Sequence, residues 1–531
     1  MIPMPMSPPL RRPAFRSIWI ASNVYFLGNA MQAMAAAWTV LAMTGSSFLA
    51  ALVQTALFLP RFLLSLPAGV LADLTDRRRL IQASLRINAA AALLLFALLM
   101  AGAANAGTVL LLIFVIGCCG AMMTPAWSSS TNELVPREEL PQAITAMSVA
   151  FNAARAIGPT LAGVLYSTVG GVWNHAIAAF SALWMSHASR KHPPRPHPPS
   201  RLPPERLWAG MVSALRFAKH SRLVRSQLVR TVTYSTIGSA LWALLPVIGQ
   251  RRLGMDATGY GLLIGCLGAG AVGAGLFIGR LRQRLGPERI VIGATLVFAA
   301  AMLVPAFVTS AGLVFLALVP GGAAWMSAMS TFDTATQTSV PPWVRGRTLA
   351  MQTVCTLGAI AVGSALWGAL SDLVGLSSTL LLASGFMIAS LRLARIFPLR
   401  LGATQDVTPA ARLNALLLEK EPRPDSGPVA VEISYRIDPA RTDAFLAAVS
   451  ALREPRRRDG ASFWRVYRDL GDSSRFVERF IVDSWSAYLH QQMRSTLADE
   501  ALEAAVLDFL REGERVHTAY YLAQAWQPSS A

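Results

Sequence analysis

Charge is scarce in this 531-residue chain: 14% of its residues are Asp, Glu, Lys or Arg, where a soluble domain carries about a quarter. With 53% hydrophobic residues and a mean hydropathy of +0.45, an ordinary soluble fold is excluded for most of the length. Cysteine is scarcer still. Cys118, Cys119, Cys266 and Cys355 all fall in apolar stretches without metal-ligand spacing, which excludes a disulfide framework or a zinc module and leaves small packing residues. The segment Met1 to Arg16 is basic and proline-rich and lacks the short apolar core and cleavage site of a signal peptide. No Walker-type phosphate loop occurs. Gly268-Ala-Gly270-Ala-Val-Gly273 matches a dinucleotide pattern, but without the strand and turn that give it meaning, so it reads as close helix packing and no cofactor is expected. The net charge of +18 suggests nucleic acid until its distribution is examined. From residue 428 onward there are 13 basic and 15 acidic residues, leaving 34 basic against 14 acidic before it. The excess belongs to the apolar part, where it orients helices and meets anionic lipid; no nucleic-acid motif is present.

What is abundant is the apolar run. Twelve stretches long enough to span a bilayer are read at 16–42, 47–72, 79–102, 107–131, 142–169, 171–189, 226–249, 257–280, 288–309, 311–336, 347–371 and 374–396. Alternate connections carry the arginines: Arg77–Arg79, Arg137, the 190–225 segment, Arg280 to Arg289, and Arg345 with Arg347. The opposite connections hold none apart from Arg251 and Arg252. Because arginine-rich short loops stay inside, both termini are expected in the cytoplasm of a multi-pass inner-membrane protein. The expected fold is all-α: an N-terminal six-helix half (1–189), a cytoplasmic linker (190–225) with an interfacial helix near Leu207–Arg222, and a second six-helix half (226–400). The halves look like repeats about 205 residues apart, since Gly158 and Gly163 recur as Gly363 and Gly368, as in transporters with a site between two similar halves.

The run Gly69-Val-Leu-Ala-Asp73-Leu-Thr-Asp76-Arg77-Arg78-Arg79 resembles the first cytoplasmic loop signature of the major facilitator superfamily, with Leu74 and Asp76 departing from its Arg and Gly. Arg155-Ala-Ile-Gly158-Pro159-Thr-Leu-Ala-Gly163 is similar to the fifth-helix signature of its antiporters, with Ala162 in place of a glycine. Together with Pro125-Ala-Trp127 and Glu133-Leu-Val-Pro136, these runs resemble the transmembrane secretion effector family, the branch of enterobactin-exporter relatives. The resemblance covers about residues 15–400. It implies export of a small molecule driven by the proton gradient, with Gly69, Asp73, Asp76 and Arg77–Arg79 as a gating charge relay.

Two residues stand where the charge rule allows none. Arg61, after Pro60, and Arg155 lie midway along their spans; an arginine there costs several kcal/mol unless it meets water, a partner or an anion. With Asn152 they are candidates for a basic patch in a central cavity that draws an anionic or chelating substrate, the alternatives being backbone hydrogen bonding or pairing with Asp333. Glu133 and Asp333, near the cytoplasmic ends of spans four and ten, are candidate proton carriers, the alternative being a purely structural ion pair. Asp372 and His175 read as residues of the outer interface.

Beyond a polar linker (401–427) the period changes. Val429–Ile437, Phe463–Asp469, Arg475–Val482 and Val516–Leu522 alternate as strands around helical Pro439–Leu452, Trp485–Met493 and Ala498–Glu512. This β-α-β-β-α-β order gives a ferredoxin-like cytoplasmic domain over 428–525. It resembles the antibiotic-biosynthesis monooxygenase-type domain, which implies dimerisation and a pocket to which Trp464, Tyr467, Trp485, Tyr488, His490 and His517 are candidates; at strand and helix spacing such aromatics are also plain core. No nucleophile, base and orienting group are grouped together. The favoured reading is a regulatory or dimerising module. The competing readings are a bifunctional transporter with an active tail enzyme, and a non-transporting membrane sensor.

Overall fold

A computed structural model of the chain describes residues 8–132, 134–136, 138–191, 215–402, 407–408, 410 and 422–524. Twelve long helices follow one another: α1 (Pro13–Thr44), α2 (Ser47–Leu74), α3 (Arg77–Met100), α4 (Ala106–Asn132), α5 (Leu140–Thr168), α6 (Trp173–Lys191), α7 (Arg222–Val247), α8 (Ala257–Leu285), α9 (Pro287–Phe307), α10 (Ala311–Thr338), α11 (Pro342–Val374) and α12 (Leu376–Ala389). Among the described residues, ten helices are long and apolar enough to cross a membrane. The two of the twelve that are not among them are α5 and α6. Asn152 and Arg155 dilute the first, and Asn174, His175 and three serines dilute the second.

Local chemistry sets the ends. Pro13 and Pro287 open α1 and α9, where the missing N–H costs nothing. Gly45, at φ 64°, closes α1 in the left-handed conformation. Ser46, Asp76 and Asp256 cap α2, α3 and α8 by accepting from the Leu49, Arg78 and Gly259 amides.

The chain divides into two compact units, one of Met1–Arg201, Arg230–Phe332 and Gln352–Pro398, the other of Leu202–Val229, Asp333–Met351 and Leu399–Ala531. In the first, lipid offers no hydrophobic drive between helices, so close packing of small residues takes over. A Cβ on Gly117 would lie 2.7 Å from the Ala56 carbonyl (α4 on α2), one on Gly158 would lie 2.8 Å from the Ala30 Cβ (α5 on α1), and one on Gly268 would lie 2.6 Å from the Ala156 Cα (α8 on α5). Gly270 abuts Val319, so two of the three dinucleotide-like glycines, Gly268 and Gly270, are contact points of α8 with α5 and α10, while Gly273 faces open space. Leu276, Phe277, Leu316 and Leu373 are exposed, as lipid-facing side chains are.

The second unit holds the tail: β1 (Val429–Arg436), α13 (Thr442–Ala451), α14 (Arg453–Asp459), β2 (Phe463–Arg468), β3 (Arg475–Val482), α15 (Trp485–Arg494), α16 (Leu497–Leu507) and β4 (His517–Leu522). The four strands form one antiparallel sheet in the order β2-β3-β1-β4. The short helix α14 occupies the connection between α13 and β2. Val431, Phe480, Trp485 and Tyr488 fill one part of its core, and Tyr435, Phe445, Val449 and Phe476 another. Of the interfacial helix expected at Leu207–Arg222, residues 215–220 are helical; the rest of it up to 214, and most of the 401–427 linker, lie outside the described residues. Phe217 and Ala218 pack there with Val224, Val340 and Val344.

Candidate functional site

Arg61 sits inside α2 directly after Pro60, a residue that removes one helical hydrogen bond and opens the ladder locally. Its guanidinium lies against the bare backbone of Gly120 on α4: a Cβ there would be 3.2 Å from Nη2 and 3.3 Å from Nε. Any larger residue at 120 would displace it. The Arg61 Nε is buried and has no hydrogen-bond partner, and the Phe58 ring lies 5.8 Å from the guanidinium carbon. The guanidinium is near enough to the Tyr25 hydroxyl on α1 to interact with it electrostatically, and that hydroxyl also accepts from Asn88 Nδ2 at 3.3 Å.

Arg155, on α5, stands 5.9 Å above the Phe151 ring and is solvent-accessible. Phe151 meets Phe26 edge-on at 5.1 Å, and Phe26 neighbours Tyr25 at 6.0 Å. Three aromatic side chains thus lead from Arg155 on α5 through Phe151 and Phe26 to Tyr25 on α1, within electrostatic reach of Arg61 on α2. Asn152 turns back to donate to the Ser148 carbonyl of its own helix at 2.9 Å. Gln32 on α1, unnoticed in the sequence, is 1% exposed with both amide atoms unpartnered; a buried amide amid alanines carries no periodic signal.

The loop signature divides. Gly69 and Asp73 fall in the last turns of α2, with side chains outside the described set. Asp76, the departure from the family's Gly, is the α3 cap, and Arg79 approaches it at 3.7 Å, an exposed pair worth little. Arg78 donates to the Arg190 carbonyl at 3.1 Å, tying the start of α3 to the end of α6, while Arg77 opens α3. Glu133 and Arg137 lie outside the described residues. Asp333 is on α10, five residues from its end, and accessible.

The fifth-helix motif serves two neighbours. Gly158 packs on Leu27 and Ala30 of α1, Gly163 abuts Ala257 of α8, and the Pro159 carbonyl abuts Gly261.

One reading needs correction. His175 is fully buried rather than at an aqueous interface, because α6 turns it into protein. Asp372 is accessible but engaged: it accepts from the Ser46 hydroxyl at 2.6 Å and from the Ser47 and Phe48 amides at 2.8 and 3.0 Å. Asp256, also unnoticed, accepts from Ser167 Oγ at 2.9 Å; the Gly259 amide and that hydroxyl hold its carboxyl below the usual range. Among the described residues no group of three or more His, Cys, Asp or Glu is placed to hold a metal.

In the tail, Trp485 and Tyr488 are core, and Tyr488 donates to the Tyr520 hydroxyl at 3.1 Å. Glu478, with no exposed surface, accepts from Tyr435 at 2.9 Å, Trp464 at 2.9 Å and Arg456 at 3.2 Å. A cavity lined by Arg456, Asp459, Gln491 and Glu503 measures about 10 Å³, room for one water. Tyr467 is exposed.

The profile of the transmembrane secretion effector family matches residues 5–527. The chain belongs to that family. The multidrug efflux pump Tap of Mycobacterium tuberculosis is 27% identical over 391 residues, covering 70% of this chain and 90% of Tap. The enterobactin exporter EntS of Salmonella typhimurium is 26% identical over 388 residues, covering 68% and 86%. Among solved structures, the bacterial homologue of the human lysosomal transporter Spinster superposes with a TM-score of 0.57 at 17% identity over 73% of this chain and 96% of that one. The nucleoside transporter NupG does so with 0.61 at 11% over 72% and 98%. These likenesses show the fold. This member of the family is a major facilitator transporter of the exporting kind, embedded in the membrane.

Proposed function

We propose that this exporter spans the membrane twelve times with both termini in the cytoplasm, and expels a small anionic or chelating molecule by alternating access in exchange for protons. The observation that carries the cargo class is Arg61: a guanidinium set against a glycine, its Nε buried and unpartnered, within electrostatic reach of Tyr25, from which aromatic side chains lead to Arg155. A fixed cation with an unsatisfied donor, flanked by aromatic side chains, suits an anion with an apolar or aromatic body. The relatives named for drug efflux and for enterobactin export agree with a secreted small molecule. Gly69, Asp73, Asp76 and Arg77–Arg79 would gate the cytoplasmic end, and Glu133 and Asp333 would carry protons.

We read the tail as a ferredoxin-like module that regulates the transporter or pairs two copies of it. Its Trp485, Tyr488, Phe445 and Phe476 are taken up by core packing, and its buried carboxylate Glu478 is held by three donors.

The test is uptake of an anionic dye, carboxyfluorescein, into inverted membrane vesicles under an imposed pH gradient, with ethidium as a cationic comparison. Gradient-dependent uptake of the anion that is lost in Arg61→Ala and Arg155→Ala supports the reading. Preference for the cation, or equal uptake by the variants, overturns it.

A further inference from the structure

The two ends of α2 and α8 that lie away from the arginine-rich loops are each fastened to the opposite half, by the same two groups in exchanged positions. On one side α8 begins with the cap Asp256, whose carboxylate receives the Ser167 hydroxyl from the end of α5. On the other side α2 begins with the cap Ser46, whose hydroxyl is given to Asp372 at the end of α11. Ser167 and Asp372 are 205 residues apart, the offset that relates Gly158 to Gly363 and Gly163 to Gly368. In both places a carboxylate also neutralises a helix N-terminus: Asp256 takes the Gly259 amide, and Asp372 takes those of Ser47 and Phe48.

Behind each pair the helices are in contact. Thr258 donates to the Gly163 carbonyl and Thr160 to that of Gly261; Gly368 sits on Ala51 and Phe48, and Thr55 donates to the Ala361 carbonyl at 2.8 Å. Arg251, the arginine that broke the loop rule, donates to Ser47 Oγ at 3.4 Å, so its place is set by this contact.

We propose that Ser167–Asp256 and Ser46–Asp372 are paired latches holding the outer ends of the two halves together, and that each must open for the pathway to face outward. Protein packed on glycine backbones can part only as a unit, so a small number of polar contacts at the rim sets the balance between closed and open. This rests on the alternating-access reading. The assay below needs no cargo, so failure to export and failure to open are separate results.

The reporter is Thr55→Cys in full-length protein whose four native cysteines are alanine, labelled with a membrane-impermeant maleimide in right-side-out vesicles. Asp372→Ala should raise the labelling rate by roughly tenfold, within the usual range of coupling between sites. Ser46→Asp, which sets two carboxylates together, should do the same. The exchange Ser46→Asp with Asp372→Ser recreates the chemistry of the other latch and should return the rate to that of the parent. Misfolding cannot imitate this restoration. A parallel series on Ser167 and Asp256 with Thr160→Cys as reporter should behave alike. Labelling that is unchanged in Asp372→Ala, or that stays raised in the exchanged pair, overturns the proposal.

Discussion

Replacing Arg61 by methionine separates a binding role from a structural one. If the arginine is kept for cargo, the resting protein bears its cost. A buried N–H without a partner costs about 1–3 kcal/mol, and the Arg61 Nε is such a group. Methionine fills a similar volume and adapts to irregular gaps, and the Gly120 backbone and Phe58 ring against which the guanidinium rests accept a thioether without a new polar demand. The expected gain is therefore about 1–3 kcal/mol in the absence of cargo. At roughly 2 °C per kcal/mol, the low end for large domains, this is a rise of roughly 2–6 °C in the midpoint of thermal unfolding of detergent-purified protein. Uptake of the anionic dye should fall to background in the same variant. Arg61→Lys keeps the charge without the planar fork and should retain partial uptake without the full gain in stability. An Arg61→Met protein that melts lower than the parent and still transports would show that the guanidinium is a structural group, and the cargo argument would fail.

Other outcomes are equally specific. Glu478→Gln removes the charge beneath Arg456, which keeps Glu503 at 2.9 Å; losing one partner of a buried pair should cost the tail about 3 kcal/mol, read as a shift in the urea midpoint followed by tryptophan fluorescence. Gly158→Leu forces α5 off Ala30, where even a Cβ has 2.8 Å; overpacking of about 1–3 kcal/mol should lower the melting point, and Ala30→Gly should recover part of it. His220 titrates low, through burial first and then the cations Arg457, Lys219, Arg216 and Arg453. Because the folded form holds the proton less well than the unfolded one, stability should fall as pH drops below about 6.5, and in His220→Gln that part of the pH dependence of thermal unfolding should vanish.

The spans, their order and the strand pattern of the tail were legible because apolar period and charge placement are local signals. So was the special standing of Arg61 and Arg155, since a charge amid hydrocarbon is conspicuous wherever it lies. The path from one toward the other was not: Tyr25, Phe26 and Phe151 look like any aromatics on apolar helices until three helices are brought together. Asp76 looked like damage to a motif and proves to be a helix cap, a role that depends on where the helix begins. Asp372 and Asp256 were illegible for another reason. At the end of a span an acidic residue is cheap, so nothing in the sequence separates one that is bound to the opposite half from one that is merely wet.

The tail is not an appendage that can be removed at will. Its Glu454 accepts from the Arg222 amide at the first residue of α7, Arg216 reaches the Gly460 carbonyl at 2.9 Å and Asp483 at 3.3 Å, and Arg458 covers the Phe217 ring. All of these partners lie in the segment that carries the chain from one half to the other. Deleting residues 428 onward would strip the acceptor from a helix terminus and bare the face of the Phe217 ring. For any truncated form, a loss of transport would therefore report injury to the crossing between the halves as much as loss of the domain. Point changes at Arg216 or Glu454, which unfasten the domain and leave both parts whole, are the cleaner cut.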